Sequence, residues 1–181
     1  MQQHERLEMA ATDAIALLKA DHRKVDALFK RFEKTGDRAL KTRQALVTKM
    51  LHELVTHTHI EEEVFYPFVR SLSKKLNDEV LEALEEHHGA KATLAELQVM
   101  DPSHERFGAK VTVLIENVRH HVKEEEHELF PTVRRSASRR DLIDLTPALE
   151  AARATAPARA LPNAPDTPSG DFSAPTGAQD G

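Results

Sequence analysis

Histidines and glutamates recur at matching places in two parts of this chain. The set consists of four histidines and two glutamates: His22, His57, Glu61, His87, His121 and Glu125. Glu61 follows His57 by four positions, and Glu125 follows His121 by four positions. Residues four positions apart share one face of a helix. Each pair can therefore offer one imidazole nitrogen and one carboxylate oxygen to the same point.

The spacing of these residues indicates an internal duplication. His57 follows His22 by 35 residues, and His121 follows His87 by 34 residues. In both halves a proline lies six residues beyond the glutamate. This repeat predicts two helical hairpins that are related by a pseudo-two-fold axis and meet around a shared centre.

Two glutamates on apolar helix faces need a partner for their charge, because an unpaired buried carboxylate is costly. Two divalent or trivalent cations would remove this cost. Glu61 and Glu125 could each bridge both metals, while the four histidines supply two nitrogens per metal. An oxo or hydroxo bridge would then give each metal five ligands and leave a sixth position open. Ligands of this type, without sulfur, suit iron or manganese, and suit zinc less well in a bridged site.

The composition limits the class of protein. The 181 residues include no cysteine, which excludes disulfides, thiolate metal sites and cysteine nucleophiles. Thirty acidic and 25 basic residues give a net charge of −5, which argues against broad nucleic-acid binding. No apolar run approaches the roughly 18 residues needed to cross a bilayer, and the first residues lack the apolar core of a secretory signal. We therefore expect a cytoplasmic protein with no nucleic-acid or membrane partner.

The elements that must position these side chains are helices, because helical periodicity dominates up to about residue 145. Four long helices are predicted over residues 13–34, 37–71, 77–100 and 103–135. Each carries one of the four histidines in an otherwise apolar stripe. Short connections between long helices predict an all-α, up-down four-helix bundle. Pro67 and Pro131 are expected to kink or end the second and fourth helices.

One folded domain with two flexible ends is expected. Residues 1–12 are predicted to be a flexible N-terminal segment, residues 13–145 the folded domain, and residues 146–181 a disordered Ala/Pro-rich tail. A short amphipathic stretch at residues 140–145 is expected to pack on the bundle. Beyond about residue 151 the larger apolar side chains are only Leu161 and Phe172, too few to offset the entropy of ordering.

Four segments of the sequence resemble the hemerythrin HHE cation-binding domain family: LLKADHRKVDALFKRFE, HTHIEEEVFYP, EEHHGAK and HHVKEEEHELFP. The resemblance covers about residues 13–135. It implies a hemerythrin-like bundle with a non-haem centre of two Fe ions, oxo- or hydroxo-bridged, on the six ligands named above. Invertebrate oxygen carriers of the family have a further histidine where this chain has Lys91, which favours reactive chemistry over reversible oxygen carriage. His88 is an alternative ligand that could replace or join His87.

Other polar residues near the repeats are assigned less direct roles. His59 with Glu63, and His120 with Glu124, also have the four-residue spacing, but helical phase turns these histidines away from the apolar stripes. They are expected at the surface or beside the ligands. The runs 61–63 and 124–126 are predicted to be exposed acidic patches, each with one member turned inward. For Tyr66, helix-end packing is favoured over a redox or gating role.

Three functional hypotheses follow. The leading one is a di-iron protein that binds or reacts with a small diatomic or peroxidic ligand, namely oxygen, nitric oxide or hydrogen peroxide, in sensing, detoxification or transport. The alternative is iron storage, buffering or iron-responsive regulation. The third is a metal-free helical bundle whose tail recruits partners. Whether the protein turns over a substrate is left open at this stage.

Overall fold

The computed structural model describes residues 12–160 of the chain. Within this range the protein is helical and has no strand, which confirms the all-α prediction. The α-helices are α1 (Ala14–Glu33), α2 (Leu40–Ile60), α3 (Tyr66–Leu72), α4 (Lys74–Val99), α5 (Phe107–Glu124), α6 (Phe130–Ser136), α7 (Arg139–Asp144) and α8 (Thr146–Thr155). Two π-helical turns, Glu61–Phe65 and Glu125–Leu129, join α2 to α3 and α5 to α6 without a break.

Four long helical units therefore form the bundle: α1, the continuous α2–α3 unit, α4, and the continuous α5–α6 unit. Successive units pack against each other, as the up-down prediction requires. Their apolar faces form two separate clusters, one around Leu18, Phe65 and Leu76 and the other around Phe29, Met50 and Leu94. The predicted histidines and glutamates lie between these two clusters along each helix.

Side-chain caps set where the helices begin. Asp13 caps α1 by accepting a hydrogen bond from the Ala16 amide (2.9 Å). Ser73 alone connects α3 to α4 and caps α4 through the Leu76 amide (3.2 Å), so α4 begins earlier than predicted. Conversely, α5 begins only at Phe107, because the carboxylate of Asp101 accepts bonds from the amide and hydroxyl of Ser103 and holds a turn there.

Neither Pro67 nor Pro131 ends its helix, since α3 and α6 continue to Leu72 and Ser136. A proline inside an α-helix has no N–H to donate, and its ring collides with the carbonyl four residues earlier. Here the turn before each proline is widened. The Tyr66 amide donates a hydrogen bond to the Glu61 carbonyl, five residues earlier. In the same way, the Phe130 amide donates to the Glu125 carbonyl. The π-helical turn thus accommodates the proline.

The folded part of the chain extends further than predicted. Helix α7 packs on the bundle, as expected for residues 140–145, with Leu142 and Leu145 buried. Residues 146–155, predicted to be disordered, instead form α8, with a proline in its first turn and fully buried Leu149. A proline is preorganised for a first helical turn, and the alanines that follow favour helix. Residues 1–11 and 161–181, which include most of the predicted tail, lie outside the described residues.

Candidate metal centre

The six predicted ligand residues come together in the middle of the bundle. His22 lies on α1, His57 on α2, His87 on α4 and His121 on α5, one histidine from each long helical unit. The two glutamates are the first residues of the two π-helical turns. All six residues are buried, with 0–6% of their surface exposed. The repeat identified in the sequence thus corresponds to a convergence in space.

The donor atoms form two adjoining groups, in each of which all atoms lie within 4.8 Å of one another. One group contains His22, His57, Glu61 and Glu125, and the other contains Glu61, His87 and His121. The Nε2 atoms of His22 and His57 are 3.1 Å apart, as are those of His87 and His121. Glu61 belongs to both groups.

Each glutamate lies between the two histidine pairs. Glu61 Oε2 is 3.2 Å from Nε2 of His57 and 3.4 Å from Nε2 of His87. Glu125 Oε2 is 3.2 Å from Nε2 of His22 and 3.5 Å from Nε2 of His121. The two carboxylates are therefore related by the pseudo-two-fold axis of the hairpins.

The arrangement has the features that a bound cation would resolve. Both carboxylate oxygens of Glu61 and Oε2 of Glu125 are buried and accept no hydrogen bond. Buried polar atoms without partners are rare in folded proteins, because leaving them unpaired costs stability. Two imidazole nitrogens 3.1 Å apart also repel each other if both present lone pairs. The nitrogen and oxygen donors fit hard to borderline metal ions such as iron or manganese.

Burial and mutual charge shift the ionisation of these groups. Burial, together with the negative charge of Glu125, raises the pKa of Glu61 well above its usual range. Burial also acts to raise the pKa of Glu125, but the surrounding histidines outweigh it and hold that pKa below its usual range. Burial lowers the pKa of His57 to about 4 and lowers that of His87. These two imidazoles are therefore neutral at pH 7, which is the form that binds a metal.

Each of the four histidines has a carboxylate facing its Nδ1 atom from a neighbouring helix. The distances are 2.9 Å for His22–Glu126, 2.8 Å for His87–Glu62, 2.7 Å for His121–Glu86 and 3.7 Å for His57–Asp21. The first three are hydrogen-bond distances. A carboxylate that accepts the Nδ1 proton leaves the Nε2 lone pair pointing into the centre.

This outer layer of carboxylates was not predicted from the sequence, although its pattern is visible in the chain. Two of them immediately precede a ligand histidine, and two immediately follow a ligand glutamate. Glu62 and Glu126 were expected to be exposed members of acidic runs. Instead, each of them lies against the Nδ1 atom of a histidine on a neighbouring helix.

Positively charged residues hold three of these outer carboxylates. Lys19 lies 3.1 Å from Glu126, and Lys91 lies 2.6 Å from Glu62. Asp21 pairs instead with Arg153 of α8, at 2.7 Å. Lys91 therefore anchors the carboxylate that faces Nδ1 of His87. The C-terminal helix reaches the same layer through Arg153.

Tyr66 is part of the centre and does not serve only to pack the helix end. Its hydroxyl donates a 2.9 Å hydrogen bond to Glu125 Oε1 and lies 3.3 Å from Nε2 of His87. Burial and the nearby carboxylates raise its pKa well above the usual range, so the phenol keeps its proton. The signal in the sequence was its position five residues after Glu61, since a π-helical turn brings such residues onto one face.

The remaining histidines near the centre lie outside the two donor groups. His88 is exposed, and His59 is half-buried without joining either group. The side chain of His120 is 62% exposed and lies 3.1 Å from Glu124. These positions match the sequence prediction that helical phase turns His59 and His120 away from the ligands.

A cavity of about 230 Å³ adjoins the four histidines that are predicted as ligands. The rest of its wall is largely apolar and includes Val25, Leu54, Ala90, Leu94, Val118 and Val122. The exposed residues Gly89 and Asn117 also line it, so the cavity opens to the surface between α4 and α5. This volume accommodates a few molecules the size of water.

A helical bundle with histidine and glutamate clusters able to hold metal ions defines a metal-binding protein. The family model of the hemerythrin HHE cation-binding domain matches residues 13–133. The chain belongs to this family. None of the described helices is long and apolar enough to span a membrane.

Two known proteins are similar to this chain. The crystal structure of a hemerythrin HHE cation-binding domain-containing protein from Mycobacterium kansasii has a TM-score of 0.63 at 20% identity, over 80% of this chain and 89% of that one. It supports the fold. A protein described as a DNA nickase, from Nostoc sp. (strain PCC 7120), is 30% identical over 122 residues, which is 67% of this chain. This stretch is 34% of that relative, so the chain matches about a third of its length.

Proposed function

We propose that this chain is a non-haem di-iron protein that binds or reacts with a small diatomic or peroxidic ligand: oxygen, nitric oxide or hydrogen peroxide. The observation that carries this proposal is the apolar cavity of about 230 Å³ that adjoins all four ligand histidines. An apolar passage admits small neutral molecules and rejects ions, because an ion would lose its hydration without a partner. Sensing, detoxification and transport would all use such a site.

Each half of the donor set would hold one iron. His22 and His57 would bind the first ion, His87 and His121 the second, and Glu61 and Glu125 would bridge them. Bound iron supplies Lewis acidity and one-electron redox chemistry. The outer carboxylates fix the imidazole rings through Nδ1 and make the Nε2 atoms better donors.

Tyr66 gives the centre a buried hydrogen-bond donor. Its hydroxyl lies between Glu125 and His87, and its counterpart in the other half of the repeat is Phe130, which has no hydroxyl. Only one of the two pseudo-symmetric halves therefore has a proton to donate at the centre. We infer that Tyr66 orients Glu125 and makes the two metal positions chemically unequal.

We extend neither nucleic-acid binding nor nicking from the Nostoc relative to this chain. The net charge is −5, and nucleic-acid binding depends strongly on neutralising phosphates with basic residues. The part of that relative beyond the matched region is about twice as long as the match, and its activity can reside there. A cytoplasmic location remains part of this proposal.

The test measures the metal content and the optical spectrum of aerobically purified protein. The spectrum is recorded before and after reduction with dithionite. It is recorded again after oxygen, nitric oxide or hydrogen peroxide is added to separate samples. We expect about two irons per chain and near-ultraviolet absorption that bleaches on reduction and returns with one of these ligands. Glu61→Ala should lose the iron, whereas the matched control Glu63→Ala, two residues further along, should keep it.

The same experiment separates the alternative of iron storage or regulation. Iron that leaves readily to a competing chelator, in a protein whose spectrum responds to none of the three ligands, would favour storage. Well-folded protein that refuses iron on anaerobic reconstitution would refute a di-iron centre altogether.

A further inference from the structure

A second pocket, which is acidic, also reaches this centre. The hydrogen bond between Glu86 and His121 lies between this pocket and the apolar cavity. The acidic pocket lies between α4 and the α5–α6 unit and has a volume of about 90 Å³. Its wall carries five glutamates besides the ligand Glu125: Glu79, Glu82, Glu86, Glu124 and Glu128. His121 and Glu125, two of the six proposed ligands, also line it. The centre therefore has one apolar approach and one acidic approach.

A potential set of metal ligands lies where this pocket and the apolar cavity adjoin: Glu86 lines both, Glu124 lines the acidic pocket and His120 lines the apolar cavity. One donor atom from each of Glu86, His120 and Glu124 lies within 4.8 Å of the others. Nε2 of His120 is 3.1 Å from Glu124 Oε1 and 3.9 Å from Glu86 Oε1. The other oxygen of Glu86 accepts the Nδ1 proton of His121 at 2.7 Å. Glu86 thus contacts both this outer set and a ligand of the inner centre.

A buried, unpartnered carboxylate oxygen connects the pocket with the centre. Glu125 is only 2% exposed and lines the pocket, while its Oε2 atom, which accepts no hydrogen bond, faces the centre at 3.2 Å from Nε2 of His22. Oε2 of Glu79 is also shielded from solvent and without a hydrogen-bond partner. These atoms offer negative charge to a cation that enters from the surface.

The corresponding positions in the other half of the repeat are much less acidic. The positions 64 or 65 residues before Glu82, His120, Glu124 and Glu128 hold uncharged, buried side chains: Leu17, Thr56, Ile60 and Val64. Three of these belong to the apolar cluster that includes Leu145 and Leu149, so the C-terminal helices cover this face. The pseudo-symmetry is therefore broken in a way that leaves one face acidic and open.

We propose that the acidic pocket is the entry site for the metal, where a divalent cation binds transiently to Glu86, His120 and Glu124 before it reaches the six inner ligands. This inference rests on the proposed function, in which the centre holds iron. A cleft lined with charges of one sign concentrates the opposite charge and raises its association rate. Two carboxylates and one imidazole suit Fe²⁺ as ligands.

The experiment follows iron uptake by the full-length apoprotein. Apoprotein is mixed anaerobically with Fe²⁺, and unbound iron is measured at successive times with a colour-forming ferrous chelator. In the double variant His120→Ala/Glu124→Ala, we expect uptake to slow about tenfold at low ionic strength, with the final two irons per chain unchanged. Glu86 is left intact because it also orients His121. The matched control is His59→Ala/Glu63→Ala, which removes the same residue types at the same spacing outside any donor group.

A second variant tests the effect of the negative charge of the pocket and leaves Glu86, His120 and Glu124 unchanged. Glu82→Lys/Glu128→Lys reverses two exposed charges of its wall, and we expect it to slow uptake and to weaken the dependence of the rate on salt. Wild-type rates in both double variants would overturn the entry site while leaving the di-iron centre standing. Wild-type protein that takes up no iron at all would instead overturn the proposed function.

Discussion

Replacing Glu61 by glutamine distinguishes two effects of this side chain: its effect on the stability of the apoprotein and its role in binding metal. Glu61 is fully buried, accepts no hydrogen bond, and its pKa is raised by burial and by Glu125. The folded apoprotein therefore keeps a proton on Glu61 at pH values where the unfolded chain, with a pKa near 4.5, has released it. As the pH rises above this value, the free energy of unfolding of the wild-type apoprotein falls through this group.

The size of the effect follows from one proton, which contributes about 1.4 kcal/mol per pH unit until the pH passes the raised pKa. Glutamine cannot ionise. The free energy of unfolding of the apo variant, relative to that of wild type, should therefore rise by about this much with each pH unit. For a chain of this size, that gain corresponds to about 3–6 °C in Tm per pH unit. With iron bound we expect the opposite, namely that the variant is less stable than wild type, because under the proposed function glutamine replaces a charged metal ligand.

The assay is urea unfolding of both apoproteins at several pH values between 5 and 8, with iron content measured in parallel. Glu63→Gln is the matched control, since it makes the same change on an exposed neighbour. Parallel stability curves for Glu61→Gln and wild type would refute the protonated state of Glu61. Undiminished iron in Glu61→Gln would refute its bridging role.

Three further predictions concern the tyrosine, the C-terminal helix and the cavity. Tyr66→Phe removes the hydrogen bond to buried Glu125 and should destabilise the apoprotein by about 1.5–3 kcal/mol in urea unfolding. It should also shift the absorption of the iron-loaded protein. Leu149→Ala should cost about 2–5 kcal/mol in the same assay, because Leu149 is fully buried. Ala90→Phe, which fills the mouth of the apolar cavity, should slow ligand binding in stopped-flow absorption while leaving the iron content unchanged.

Each of these three predictions has an outcome that contradicts it. A Tyr66→Phe protein with wild-type stability and spectrum would remove the tyrosine from the centre. The half-exposed Leu81→Ala serves as control for Leu149→Ala, and equal costs for the two would mean that α8 does not pack on the bundle. Unchanged ligand kinetics in Ala90→Phe would show that small molecules reach the centre by another path.

The core of the fold could be predicted from the sequence because its signals are local and repeated. Apolar residues at helical spacing predicted the four long helical units, and one histidine in each stripe predicted where the units converge. His57 with Glu61, and His121 with Glu125, needed only the geometry of a single helical turn. The close approach of these side chains in space is consistent with that prediction.

The features that escaped prediction depend on packing between distant parts of the chain. The weakly apolar segment around Leu149 folds because the bundle offers it an apolar face, which its own composition does not reveal. The approach of Tyr66 to the centre depends on the π-helical turn before it, whereas the sequence prediction counted helical phase at 3.6 residues per turn. Because prolines usually end or kink helices, Pro67 did not suggest a π-helical turn in a helix that continues.

The paired π-helical turns also bear on the history of the chain. Such a turn corresponds to an α-helix into which one extra residue has been inserted. π-helical turns of this kind are frequent at functional sites. Both hairpins carry it at the same place, starting at the ligand glutamate and ending just before the aromatic residue and proline. If the hairpins descend from one ancestor, the insertion preceded their duplication. A single ancestral hairpin pairing with its own copy would then already have enclosed a symmetric site, and Tyr66, Arg153 and the acidic pocket would be later departures from that symmetry.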